Sequence, residues 1–270
     1  MVLTDKSGLS LSMKDKIQKI RTEQVFNNQI ADLLTKWLQY LGITNGDLVS
    51  FYNKIKGLFL SDKSIYAIEE ELHKFFYSSN FTVEINDRLR VEEELVFSEI
   101  KDLFLPGSCL DIGCGSGLIA KKVSASGHAM QLVDVIDFNK TDLPSDIYDG
   151  EKLPYQDGSF ENVSLLTVLH HCNNPRTILK EAIRVARSRL IIIESVYVKD
   201  SEFLSNMFFD WMWNRVVYQD VNVPFNFLSP AKWEETFKKE NLKIKHQLDL
   251  GYDSPMTPEH HWLFVLDKKA

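Results

Sequence analysis

The chain has 270 residues, with 38 acidic and 31 basic side chains and a formal net charge of -7 at neutral pH. This length can bury one main hydrophobic core with an attachment, and a composition of 44% hydrophobic and 26% charged residues excludes the disordered and fibrous classes. Because a negative chain repels a nucleic-acid backbone, no nucleic-acid partner is expected.

The cysteines and the hydropathy pattern exclude further classes of protein. Cys109, Cys114 and Cys172 lack the paired Cys-x-x-Cys spacing of zinc and redox motifs, so neither a disulfide framework nor a metal site is expected. No apolar run approaches the roughly 18 residues of a membrane-spanning helix. The predicted compartment is the cytoplasm, and nothing in the sequence predicts the oligomeric state.

Residues 1–105 are predicted to form a helical N-terminal extension or cap without a chemical motif of its own. Apolar residues recur there at spacings of three and four, which is the helical period. They include Val25, Ile30, Leu33, Leu34, Trp37, Leu38, Leu41, Leu58, Phe59, Leu72, Phe75 and Phe76. Val91, Leu95 and Ile100 continue the pattern, and Pro106-Gly107 ends it.

From residue 106 to 270 short apolar strands alternate with helices. Strands are predicted at 108–112, 129–133, 162–168 and 190–194, and a closing pair at 243–250 and 261–266. Helices are predicted at 117–125, at 175–186 after the N-cap Asn174, and at 230–240 after Ser229. This alternation predicts an α/β fold, with a mostly parallel sheet flanked by helices. An aromatic-rich insertion at about 200–230 is expected mainly to contribute packing.

A glycine-rich run marks the point where the first strand leads into a helix, and it reads Leu110-Asp111-Ile112-Gly113-Cys114-Gly115-Ser116-Gly117. Its alternating glycines would let a ligand lie against the backbone at a helix N-terminus. A dinucleotide fingerprint would need glycine where Leu118 stands, and a phosphate-binding P-loop would need Gly-Lys-Ser/Thr. The run therefore favours a different ligand.

Two acids near this run indicate the charge of that ligand. Asp111, two residues before the first glycine, would oppose a phosphate but suits an ammonium and a sulfonium group, which S-adenosylmethionine carries. Asp134 closes the second strand, where a carboxylate can accept hydrogen bonds from both ribose hydroxyls. Asp137 is a rival for this role.

Five segments, in this order, resemble the class I S-adenosylmethionine-dependent methyltransferases. They are Cys109 to Gly117, Val133-Asp134, Asp149 to Tyr155, Asp157-Gly158-Ser159-Phe160 and Leu169-His170-His171. More narrowly, residues 106–270 are similar to the small-molecule and quinone-biosynthesis type of methyltransferase domain.

The resemblance implies a Rossmann-like fold, S-adenosyl-L-methionine as cofactor and S-adenosyl-L-homocysteine as product. It also implies that one set of residues lines the methionine end of the cofactor, namely Asp111, Gly113, Gly115 and Gly117. Asp134 would hold the ribose, and Asp149 with Gly150 would meet the adenine.

The spacing between Asp134 and Asp149 departs from the family. Asp149 follows Asp134 by only 15 positions, which is too few for the usual helix and third strand with their loops. Either the helix is lost, or it is a single turn near Thr141 to Ile147.

His170 and His171 are the candidate catalytic residues. They follow the strand at 162–168, at the sheet edge where ligands bind in open α/β folds. The resemblance implies that such residues lie near the transferred methyl group, where one could deprotonate an acceptor. The alternative is a structural role, in which one of them caps a helix or packs on the sheet.

The sequence thus predicts methyl transfer to a small-molecule acceptor, with O-methylation as the narrower hypothesis. The methyltransferases of exocyclic base nitrogens resemble one another in an Asn/Asp-Pro-Pro-aromatic turn, but Thr167-Val168-Leu169-His170 stands at that place. A non-catalytic cofactor-binding or interaction protein remains an alternative.

Overall fold

The computed structural model describes residues 35, 45–59, 61–77, 93–217, 221–252 and 259–269. The chain divides into two compact units. One draws on Met1–Leu89, Tyr197–Phe225 and Tyr252–His260, and the other on Arg90–Val196, Asn226–Gly251 and His261–Ala270. The domain boundary at residue 105 stays a prediction.

The described residues contain the following helices and strands in chain order. The helices are α1 Asn45–Phe59, α2 Ile65–Tyr77, α3 at 93–100, α4 Leu118–Ala125, α5 Pro175–Val185, α6 Asp200–Trp211 and α7 Pro230–Lys239. The strands are β1 Ser108–Ile112, β2 Ala129–Asp134, β3 Ser145–Ile147, β4 Phe160–Leu166, β5 Ala186–Val196, β6 Leu242–Tyr252 and β7 His260–Lys268. A short 3₁₀ turn, η1, spans Leu169–His171, and a π-helical turn spans Met212–Val217.

The strands form one sheet in the order β3-β2-β1-β4-β5-β7-β6. Strand β1 pairs in parallel with both β2 and β4, and the pairs β2·β3 and β4·β5 are parallel as well. The carboxyl ends of these strands therefore meet at one edge of the sheet. The strand order changes direction at β1: β2 and β3 lie on one side of it, and β4 and β5 lie on the other. In such folds ligands bind at this point, between β1 and β4. The prediction of a mostly parallel sheet flanked by helices is confirmed.

Both faces of the sheet are covered, because successive side chains of a strand point to opposite faces. In β5, Leu190 and Ile192 belong to one buried cluster, and Ile191 and Ile193 belong to the other. The first cluster includes residues of α5 and α7, and the second includes residues of α3 and α4. Burial on both sides explains why residues 190–193 of β5 are all apolar and do not alternate with polar residues.

Helix starts follow the predicted caps. The Asn174 side chain accepts a hydrogen bond from the Thr177 N–H, and the Ser229 side chain accepts one from the Lys232 N–H. A proline follows each cap at the first helical position, where the missing N–H costs no hydrogen bond. Both helix N-termini were therefore predicted correctly.

Several predicted boundaries near the carboxyl edge differ from the structure by one or two residues, and two of them have a clear cause. Strand β4 ends at Leu166 instead of residue 168, because Thr167 takes the left-handed conformation with φ 59°. Helix α4 begins at Leu118 instead of residue 117, because Gly117 is its N-cap with φ 73°. In both places a backbone conformation, and not the hydropathy pattern, sets the boundary of the element.

The connection from β2 to β3 has lost the helix that the family carries there. Residues 135–144 contain no helix, and β3 is a strand of three residues. The Asn139 Oδ1 atom accepts hydrogen bonds from the Thr141 N–H and hydroxyl, each at 2.8 Å, which holds a compact turn instead. Of the two alternatives for this segment, the loss of the helix is the one observed.

In the first unit, the aromatic-rich insertion packs against α2. The buried Glu69 carboxylate accepts a hydrogen bond from Trp211 Nε1 at 2.8 Å and pairs with Arg215 at 3.1 Å. The Tyr77 hydroxyl donates to the Val217 carbonyl at 3.0 Å. These contacts agree with a packing role for the insertion.

The helical prediction for the N-terminal extension is only partly covered by the structure. Helices α1, α2 and α3 agree with it, and residues 1–34, 36–44, 60 and 78–92 lie outside the described residues. None of the helices in the described part of the chain is long and apolar enough to cross a membrane.

Candidate cofactor and active site

The glycine loop follows β1 at the carboxyl edge of the sheet. Gly113 has φ 68°, and a Cβ atom there would lie 2.7 Å from Val168 Cγ2, so only glycine fits. Gly115 has φ 51°, and a Cβ atom there would meet no atom within 4 Å. The loop thus packs closely against the turn after β4 at Gly113 and faces open space at Gly115.

Gly117, the last glycine of the predicted set, has a different environment. A Cβ atom there would lie 2.7 Å from Asn139 Oδ1 and 3.0 Å from Leu132 Cδ1. Gly117 therefore packs closely against the β2–β3 connection. It is also the N-cap residue at which α4 begins.

Asp134 ties the glycine loop to the end of β2. Its Oδ2 accepts a hydrogen bond from the Gly115 N–H at 2.9 Å, and its Oδ1 accepts one from the Val135 N–H at 2.7 Å. A carboxylate has about four acceptor positions, so each oxygen keeps capacity for a ligand hydroxyl. The rival acid Asp137 is exposed.

Asp111 lies in the sheet between β2 and β4. Its register partner on β4 is Ser164, whose hydroxyl donates to Asp111 Oδ1 at 2.6 Å. Burial raises the pKa of Asp111 to about 7, and the negative charge of Asp134 adds to this effect, whereas the Ser164 hydrogen bond opposes it. Asp111 is therefore a buried acid that ionises close to neutrality.

Asp149 and Gly150 lie beside the end of β2, because the Tyr148 N–H donates to the Asp134 carbonyl at 3.0 Å. A Cβ atom on Gly150 would lie 3.3 Å from Val135 Cγ1. Asp149 is exposed, and its Oδ1 accepts hydrogen bonds from the N–H groups of Glu151 and Lys152, which lower its pKa. Its carboxylate thus shapes the turn.

The structure separates His170 from His171, which the sequence could not distinguish. His170 is buried, and its Nδ1 atom lies 2.8 Å from Glu194 Oε2, whereas His171 is partly exposed. The Phe227 ring stacks on His170 at 5.2 Å between centroids. Burial lowers the pKa of His170 well below its usual value, with His171 and His261 adding to the effect, so the ring is neutral at pH 7.

Sequence reasoning missed Glu194. This fully buried acid at the carboxyl end of β5 accepts hydrogen bonds from the N–H groups of Val168 and Leu169, at 3.1 and 2.7 Å, and of His170 at 3.3 Å. Burial raises its pKa to about 7 against the effect of these donors. The available signal was an acid that directly follows four apolar residues in a strand buried on both faces.

Thr167 was also missed as a feature of this edge. It is exposed, and its φ of 59° is rare for a β-branched residue. Such a conformation costs roughly 1–2 kcal/mol, and strained residues cluster at functional sites. Thr167 turns the chain from β4 into η1 and so brings Val168 against Gly113.

Residues 110–193 match the model of a family described as a methyltransferase domain. The protein MJ1123 of Methanocaldococcus jannaschii is 31% identical over 162 residues, which cover 56% of this chain and 74% of MJ1123. A second protein of that organism, MJ1252, is 38% identical over 109 residues, covering 39% of this chain and 42% of MJ1252.

Solved structures share the fold at low sequence identity. A complex of the Haloferax volcanii Trm112 methyltransferase activator with a methyltransferase has a TM-score of 0.53 at 15% identity, covering 73% of this chain and 98% of that one. A SAM-dependent methyltransferase of Thermotoga maritima has a TM-score of 0.53 at 18% identity, covering 74% and 99%. With the family match over the glycine loop, β4 and β5, the chain belongs to the class I S-adenosylmethionine-dependent methyltransferases and uses S-adenosyl-L-methionine as its cofactor.

Proposed function

We propose that the chain transfers the methyl group of S-adenosyl-L-methionine to a hydroxyl oxygen of a small-molecule acceptor, with His170 as the general base. The observation that carries this proposal is the position of His170. It is a buried, neutral imidazole in the turn after β4, and Val168 in the same turn packs against Gly113 of the glycine loop. A neutral imidazole at this place suits an acceptor that must lose a proton.

The cofactor's parts are assigned to residues along the carboxyl edge. The methionine end would be held by Asp111 and by the loop with Gly113, Gly115 and Gly117. The Asp111 carboxylate attracts the ammonium group of the cofactor, and Gly115 faces open space.

Asp134 would accept the ribose hydroxyls with the capacity that remains on its two oxygens. Asp149 and Gly150 would meet the adenine. The exposed apolar side chains of Val135, which lies beside Gly150, and of the following Ile136 support this placement of the flat base.

When bound, S-adenosyl-L-methionine supplies a methyl group already activated by the sulfonium. The contribution of the protein is therefore positioning and exclusion of water, together with removal of the acceptor's proton. His170 would take that proton at Nε2, because its Nδ1 is engaged with Glu194. His171, partly exposed, is the second candidate for the base.

Two other functions from the sequence remain testable alternatives. A non-catalytic cofactor-binding protein would bind S-adenosyl-L-methionine without releasing S-adenosyl-L-homocysteine in the presence of any acceptor. A nucleic-acid methyltransferase is disfavoured by the net charge of -7 and by the residues after β4. The cytoplasmic location stays a prediction based on composition.

Replacing Gly115 by alanine should weaken S-adenosyl-L-homocysteine binding by about tenfold or more, because the new methyl group would occupy the open space at the loop. The matched control is Gly158→Ala. Gly158 has a similar φ of 62° and equally open surroundings, but it precedes β4 at the amino edge of the sheet. Calorimetric titration of both variants measures the effect. Equal affinities in the two variants would show that the loop does not contact the cofactor.

Replacing Asp111 by asparagine should stabilise the protein at pH 8 and leave its stability nearly unchanged at pH 4. The folded-state pKa of about 7 exceeds the unfolded value of about 4, so ionisation of Asp111 costs folding free energy that grows as the pH rises from 4 to 7. The difference between these two pKa values lowers the free energy of unfolding by at most roughly 4 kcal/mol at pH 8.

Urea denaturation of the wild type and Asp111→Asn at both pH values measures this change. The same variant should bind S-adenosyl-L-methionine about tenfold or more weakly, because the ammonium group loses its charged partner. A variant that is no more stable at pH 8 and binds the cofactor normally would contradict both parts of the assignment.

Replacing His170 by alanine should lower turnover by about a hundredfold or more, which is the usual effect of removing a positioned base. The acceptor is found first, by screening phenols and other hydroxyl compounds for release of S-adenosyl-L-homocysteine. His171→Ala is the matched control and should reduce turnover less, and both variants should retain cofactor affinity. Wild-type turnover in His170→Ala, or a larger loss in His171→Ala, would refute the assignment of the base.

A further inference from the structure

Glu194 is the most completely engaged carboxylate at the carboxyl edge. Its Oε1 accepts the N–H groups of Val168 and Leu169, and its Oε2 accepts the N–H of His170 and lies 2.8 Å from the ring Nδ1 of the same residue. The side chain has no exposed surface, so these contacts replace water completely.

The number of these contacts determines the tautomer of His170. At pH 8, above the Glu194 pKa of about 7, the carboxylate is mostly ionised and only accepts hydrogen bonds, so each of the four groups that contact it must donate one. Three of them are backbone N–H groups, and the fourth is His170 Nδ1, which must therefore carry the ring proton. In a neutral imidazole the lone pair then lies on Nε2, the atom that a general base uses.

We propose that Glu194 is a positioning residue for methyl transfer, which holds His170 in the tautomer whose lone pair lies on Nε2. The proposal rests on the proposed function of His170 as the base. Glu194 acts through His170, whose ring Nδ1 it contacts at 2.8 Å.

The same carboxylate fixes the position of the turn as well as the tautomer. Its bond to the Val168 N–H holds the residue whose methyl groups exclude any side chain at Gly113. One acid on β5 thus orients the base and supports the glycine loop. The charge of His171 lowers the pKa of both His170 and Glu194, and the charge of His261 lowers that of His170.

The test reads the tautomer directly. Long-range ¹H–¹⁵N correlation spectra of the ¹⁵N-labelled full-length chain at pH 8 distinguish a ring proton on Nδ1 from one on Nε2, and His170→Gln identifies the signals. The wild type should carry the proton on Nδ1. In Glu194→Gln the amide group can donate to Nδ1, so the ring proton should move to Nε2.

Turnover separates the positioning role from a structural one. Glu194→Gln should lower turnover about a hundredfold or more, because a histidine in the wrong tautomer cannot accept the proton. The affinity for S-adenosyl-L-homocysteine should stay within about threefold of the wild type. Glu194→Asp keeps the charge and should restore part of the rate. Asp267→Asn, which changes a carboxylate paired with Arg189 on β5, is the matched control and should leave the spectrum and the rate unchanged.

A wild-type ring proton on Nε2, or an unchanged tautomer in a folded Glu194→Gln, would overturn the proposal. The wild-type spectrum decides the question even if Glu194→Gln does not fold. Full turnover in His170→Ala would instead refute the proposed function. The two failures are therefore distinguishable.

Discussion

Hydrogen bonds from loop N–H groups to buried carboxylates organise the carboxyl edge of this sheet. Asp134 accepts them from Gly115 and Val135, and Glu194 accepts them from the turn after β4. Loops that leave a strand have backbone donors with no partner in the sheet, and a buried donor without a partner costs free energy. The acids on the strand ends satisfy these donors and so fix the loops that form the candidate site.

This arrangement reduces stability. Burial raises the pKa of both Asp111 and Glu194 to about 7, so at neutral pH each acid is ionised only against an unfavourable desolvation. Thr167 adds backbone strain at the same edge. Such costs are expected at a site of the kind proposed, which would bind a cationic cofactor and position a base, because the groups are arranged before the ligand arrives.

Much of the fold was predictable, because the parallel strands are apolar runs and the helices carry N-caps such as Asn174 and Ser229. Asp134 could be identified from the sequence as a candidate cofactor-binding residue because it closes a strand. The glycine loop could be identified by the spacing of its glycines. Glu194 stands out in the sequence as an acid after four apolar residues, but its role was not predictable, because that role depends on β5 lying beside β4, which periodicity does not encode. The β2–β3 connection was left undecided because hydrogen bonds that Asn139 Oδ1 accepts from Thr141 hold a compact turn there in place of a helix.

The central claim is that the edge formed by the glycine loop and its acids binds a cationic sulfur cofactor in place of a dinucleotide. Calorimetric titration of the full-length chain with S-adenosyl-L-methionine, S-adenosyl-L-homocysteine and NAD tests it most directly. The account predicts saturable binding of both sulfur compounds at one site and no binding of NAD. Binding of NAD in preference to either sulfur compound, or no heat with any of the three, would contradict it.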